Sequence, residues 1–146
     1  MSIVAVTALI LATLFTGGAL YISLVEQPAR LALDDASLLA QWQPSYKRAL
    51  PIQAGLAVAG GLAGLAEWYL SGDWRWLVGS LVLLANWPFT LLAIMPVNKY
   101  LMALEPRRAG PEGRRKLLLW GKLHNGRSAL GGIAALLYAW ALVCAG

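Results

Sequence analysis

His124 is the one histidine of the chain, and histidine alone has an ordinary side-chain pKa near neutrality, so it is the natural general base. Trp120, His124 and Arg127 stand at i, i+4, i+7, which places all three on one helix face. A second polar set, Ser23, Glu26, Gln27 and Arg30, follows the spacing i, i+3, i+4, i+7, although Pro28 disturbs its phase. A third contribution is Asn98, just after Pro96. A base flanked by Arg127 and Asn98, both able to hold an oxyanion, suits proton removal from an acidic carbon or hydroxyl. The broad rings of Trp120 and Trp87 suit a flat apolar substrate. Taken one at a time, each residue has a plainer role. Glu26 and Arg30 make an i, i+4 ion pair, Arg127 snorkels to phosphates, and His124 is an interfacial histidine.

Four apolar runs must position these groups. Ile3 to Val25, Trp76 to Val97 and Ser128 to Gly146 carry no charge, and Pro51 to Leu70 carries only Glu67. Each is near the roughly 20 residues that a helix needs to cross a hydrocarbon core of about 30 Å. Hydrophobic residues make up 59% of the chain and charged ones 13%, half the charge content of soluble domains at about 25%. The expectation is an all-α transmembrane four-helix bundle in one domain, residues 1–146, with spans near 3–26, 50–70, 75–97 and 120–145. A short interfacial helix should follow span one, carrying Leu31, Leu33, Leu38 and Leu39 beside the polar Asp34 to Lys47 stretch.

Charge placement orients the bundle. Of the 12 Lys and Arg residues only Arg75 lies outside the two connections that follow spans one and three and the flanks of those connections. Basic connections stay cytoplasmic, so both termini are expected outside. The polar ends of spans one, three and four then converge at one membrane face. Ionisable groups there are costly and usually functional, which favours a site over the plainer readings. The sequence pI near 9.7 reflects this topology and anionic headgroups rather than nucleic acid; no aromatic–basic recognition motif is present. The first run lacks a basic leader and exceeds a signal-peptide core, so it reads as a span. One cysteine, Cys144, excludes dithiol redox chemistry, and one His with one Cys gives no support for a metal centre.

Other features have two readings each. Asn86-Trp87-Pro88 near the middle of span three either opens a pocket at a proline kink or makes a packing hydrogen bond. Gly60 with Gly64, and Ala57 with Gly61, form small-xxx-small ridges. They serve a homo-oligomer or close packing inside the bundle, and four helices in one chain favour the latter. Trp68, Tyr69, Trp74 and Trp76 read as interfacial anchors. In the last connection, Pro111-Glu112 suits the first turn of a helix running into span four.

The Leu24-Val25-Glu26-Gln27-Pro28-Ala29-Arg30 segment, Met95-Pro96-Val97-Asn98, and Trp120-x3-His124-x2-Arg127 together resemble the anthrone oxygenase-like family of small four-span membrane proteins, over nearly the whole chain. The resemblance implies oxidation of anthrone- or quinol-type aromatics by dioxygen with no metal, flavin or haem cofactor. It casts His124 as base, Arg127 and Asn98 as oxyanion partners, and Trp120 as lining of the ring pocket; the residues themselves, apart from the resemblance, add Glu26, Gln27, Arg30, Trp87 and Asn86 as the expected substrate surround. The partners expected are therefore a hydrophobic aromatic molecule and the lipid bilayer. The alternatives are a non-catalytic membrane protein that binds a lipid or other hydrophobe, and a structural subunit of a membrane complex. Transport is disfavoured by the lack of an inverted repeat. Whether Glu26 pairs with Arg30 or with His124 is open at this level.

Overall fold

The computed structural model describes residues 2–144 and is helical almost throughout. Four helices, α1 (Ile3–Leu31), α2 (Asp35–Ser71), α3 (Trp74–Ala103) and α4 (Gly110–Val143), are long and apolar enough to cross a membrane. The protein is an all-α integral membrane bundle.

Helix ends are set by local chemistry. Asp34 caps α2 by accepting hydrogen bonds from the Ala36 and Ser37 amides at 3.1 and 3.0 Å. This exposed carboxyl is held below the ordinary aspartate range, chiefly by its hydrogen bonding to Ser37. At the other end Gly72, with φ of 72°, closes α2, its amide donating to the Trp68 carbonyl. Only glycine adopts that left-handed turn at little cost. Asp73 then caps α3, so the α2–α3 hairpin turns in two residues. Pro111 occupies the first turn of α4, which continues unbroken from Gly110 to Val143.

The helix expected between spans one and two is present but is not a separate element. Asp35 to Ser71 is one helix of 37 residues that passes through Pro44 and Pro51. Its early Leu38, Leu39 and Trp42 are fully buried rather than laid on a headgroup surface. Trp76 likewise departs from the anchor reading: it is buried against Tyr138, ring centroids 4.8 Å apart. Trp68, Tyr69 and Trp74 are exposed.

Small residues let α1, α2, α3 and α4 approach closely in the half of the bundle nearest the Gly72 turn. Ala5, Ala8, Ala12, Phe15, Ala57, Leu83, Ala134 and Tyr138 form its core. Gly60 faces Leu83 and Leu11 across α3 and α1, and Gly64 faces Tyr138 and Ser80, so the glycine ridge is used within the bundle.

The half nearest the basic connections is built differently. Two π turns, Ile22–Glu26 in α1 and Thr90–Ile94 in α3, interrupt the helical ladder. Each lies just ahead of a proline, Pro28 or Pro96. Neither proline can donate to the carbonyl four residues back, Leu24 or Leu92, and both carbonyls fall within the π turn. The missing bond thus sits where the ladder is already widened. A similar device on two helices that are diagonal to each other in the bundle interrupts both ladders.

Candidate functional site

In that half of the bundle a pocket forms between all four helices. It is lined among others by Glu26, Arg30, Trp42, Ser45, Tyr46, Gln53, Asn98, Trp120, His124 and Arg127. His124, Arg127, Asn98, Arg30 and Gln53 are each at least nine-tenths buried. The free volume is about 20 Å³, room for one water or a diatomic gas.

The imidazole of His124 stacks on Trp120 with centroids 4.9 Å apart. Its Nδ1 lies 3.1 Å from Ser23 Oγ, which lies 3.1 Å from Ser128 Oγ. Ser128 Oγ in turn donates to the His124 carbonyl at 3.5 Å. One tautomer uses every link in that chain: Nδ1–H donates to Ser23, Ser23 to Ser128, and Ser128 to the carbonyl. The Nε2 lone pair is then free of protein partners among the described residues.

Arg30 and Arg127, the two guanidiniums of the pocket, are held in opposite ways. Arg30 is fully engaged: Nη2 pairs with Glu26 Oε1 at 3.0 Å, Nε donates to Gln41 at 2.7 Å and Nη1 to Gln27 Oε1 at 3.1 Å. Glu26 therefore belongs to Arg30 and not to His124, and it also accepts from Ser45 at 2.6 Å. Gln27 stands behind the pocket, donating to the Leu117 carbonyl at 2.9 Å. Arg127 has no carboxylate and no hydrogen-bond acceptor among the described residues, and its Nε is buried without a partner. Its guanidinium lies over Phe15, 5.5 Å from the ring centroid.

Asn98 turns out to be a strut. Its Oδ1 accepts from Trp120 Nε1 at 2.9 Å and its Nδ2 donates to the Tyr46 hydroxyl at 3.0 Å. Tyr46 stacks on Trp42 at 4.8 Å, and Trp42 meets Trp120 edge-on at 5.6 Å. The result is an aromatic wall in fixed register, with the Tyr46 hydroxyl proton left without an acceptor among the described residues.

Asn86 and Trp87 are not in this pocket. They line an adjoining slot between α2 and α3 with Leu50, Ala54, Ala57, Thr90, Leu91 and Met95, reached across Arg127. Sequence reading missed Trp42, Ser45, Tyr46, Gln53 and Ser128. The first four share a helical face at i, i+3, i+4, i+11, a signal hidden by dividing them between an interfacial helix at the Asp34 to Lys47 stretch and span two.

Fold and site together define a helical membrane protein that buries a histidine, a guanidinium without a carboxylate partner among the described residues, and an aromatic wall in one pocket. A family model described as Anthrone oxygenase matches residues 42–137, about two thirds of the chain. The protein belongs to the anthrone oxygenase family. The matched segment includes Asn98, Trp120, His124 and Arg127 and begins after the Glu26–Arg30 cluster. No curated protein and no solved structure matches the chain.

Proposed function

We propose that this protein is a membrane oxygenase that uses dioxygen to oxidise an anthrone- or quinol-type aromatic, without a cofactor. The observation that carries the reading is Arg127, a buried cation with no counter-charge among the described residues in the pocket of the one histidine. Leaving a buried charge unpaired costs about 3–5 kcal/mol, and an anion formed in the pocket would relieve that cost.

In this reading His124 Nε2 removes a proton from the methylene carbon of the anthrone. The chain through Ser23 and Ser128 keeps Nδ1 protonated. The electron pair left behind delocalises onto the ring oxygen, where Arg127 and the free Tyr46 hydroxyl proton stabilise it. The electron-rich anion reduces dioxygen by one electron, and the two radicals combine at the same carbon into a peroxide that takes back the proton. Loss of water completes the ring carbonyl. One dioxygen is consumed per anthrone: one atom becomes the new carbonyl and the other leaves as water with the two methylene hydrogens. Asn98 acts as a positioning residue for Trp120 and Tyr46. The basic connections orient the bundle with this pocket on the cytoplasmic side and both termini outside.

The test is anthrone oxidation by the purified, detergent-solubilised protein, wild type against His124→Ala, followed as anthraquinone under air and under nitrogen. Dioxygen-dependent turnover that the variant loses is the expected result. Turnover no faster than the spontaneous reaction would sink the oxygenase reading and leave the pocket as a binding site for a hydrophobic molecule.

A further inference from the structure

The His124 pocket has no room for a ring system, but the slot beside it does. Its volume is about 260 Å³, thirteen times the 20 Å³ of the His124 pocket. Leu50 and Arg127 line both cavities, so they form the partition between them. The slot walls are apolar, from Ala54, Ala57, Leu91 and Met95. At its rim Trp87 and Leu91 are 45% and 51% exposed, on the outward side of helices that cross a bilayer, so the mouth faces acyl chains rather than water.

One group in this apolar slot has no structural explanation. Asn86 is 2% exposed, and its Nδ2 donates to the Leu83 carbonyl at 3.0 Å. Its Oδ1 is buried without a donor among the described residues. Reversing the amide would set oxygen against the Leu83 carbonyl, so the unpartnered atom is an acceptor. An orphan acceptor in hydrocarbon is costly unless a ligand hydroxyl fills it. Arg127, which also lines the slot, offers donors.

We propose that the slot between α2 and α3 is the binding site and lipid-side entrance for a flat, membrane-dissolved hydroxyarene. Its hydroxyl donates to Asn86 Oδ1, and its oxygen acceptor faces Arg127. The molecule enters between Trp87 and Leu91 without crossing water. Displacement of Leu50 brings its far edge to His124, while the small pocket beyond keeps space for dioxygen. The proposal rests on the oxygenase reading only for what happens at that edge.

Binding is measurable with a compound already oxidised, which separates the two ideas. The probe is 2,6-dihydroxyanthraquinone, with 9,10-anthraquinone as the hydroxyl-free control, titrated under nitrogen into protein in lipid nanodiscs. Wild type should prefer the dihydroxy compound, and Asn86→Leu should erase that preference by weakening it about tenfold while leaving the control unchanged. Ala54→Trp, which fills the slot, should abolish binding of both; Thr90→Phe on the opposite wall is the second plug if Ala54→Trp does not fold. Wild-type affinity in the plugged protein would overturn the site, and a preference that survives Asn86→Leu would overturn the role of Asn86. Slot-dependent binding in a protein that oxidises no anthrone would retain this site and reject the oxygenase reading.

Discussion

The two halves of the bundle solve the same packing problem in opposite ways. Near the Gly72 turn, alanines and glycines bring regular helices together around Phe15, Trp76 and Tyr138, and Ser80, Tyr138 and the Gly60 carbonyl satisfy one another. Ser80 lies 2.8 Å from the Tyr138 hydroxyl, which donates to the Gly60 carbonyl at 3.2 Å. Near the basic connections two π turns widen α1 and α3, bulky Trp42 and Trp120 replace alanine, and Arg127 and Gln53 keep unpartnered buried atoms. Close helix approach excludes cavities. An interrupted ladder with large aromatics leaves one, and unpaired polar atoms collect where a ligand can complete them.

Removing Arg127 should separate the halves most sharply. Arg127→Met is expected to lower oxidation about 10²–10³-fold while leaving the melting temperature in detergent unchanged or higher, because an unpaired buried cation is gone. A large fall in melting temperature would make Arg127 a packing residue.

The opposite behaviour is expected of Gly64→Ala. A Cβ there meets Tyr138 and Ser80, and overpacking costs about 1–3 kcal/mol. Thermal or denaturant unfolding should show that loss, with the surviving folded protein turning over at the wild-type rate. A fall in activity per folded molecule would show that the halves are coupled.

Asn98→Ala should fall between these. It releases Trp120 and Tyr46 without touching His124, so a drop of about tenfold in turnover is expected, mostly in kcat. An effect as large as that of Arg127→Met would return Asn98 to the oxyanion.

The smallest effect belongs to Asp34. Its folded pKa lies below the ordinary aspartate value, so its stabilisation is present above that value and fades as pH falls through the folded one. Melting of Asp34→Ala should therefore approach that of wild type in acid and lag it near neutrality; a pH-independent gap would mean that the cap acts through geometry alone.

Much of this comparison was legible in the residues. Helical spacing put Trp120, His124 and Arg127 on one face, because 3.6 residues per turn holds whatever the helix packs against. It did not show that Glu26 would choose Arg30, nor that Asn98 would engage Trp120 and Tyr46. Both depend on which side chains from other helices arrive within 3 Å. Tyr46 and Gln53 stayed hidden because one was read in an interfacial helix and the other in span two, whereas α2 is a single helix that holds both. Asn86 and Trp87 were expected in the substrate surround of the histidine, yet the packing of α2 against α3 gave them a slot of their own.

By itself the sequence determined four spans, a family and the face of α4 that carries His124, since length, hydropathy and helical period are local properties. Which helices meet, how far the π turns part them, and which buried atoms lack a partner were decided only by the tertiary structure, because each is a distance between residues far apart in the chain.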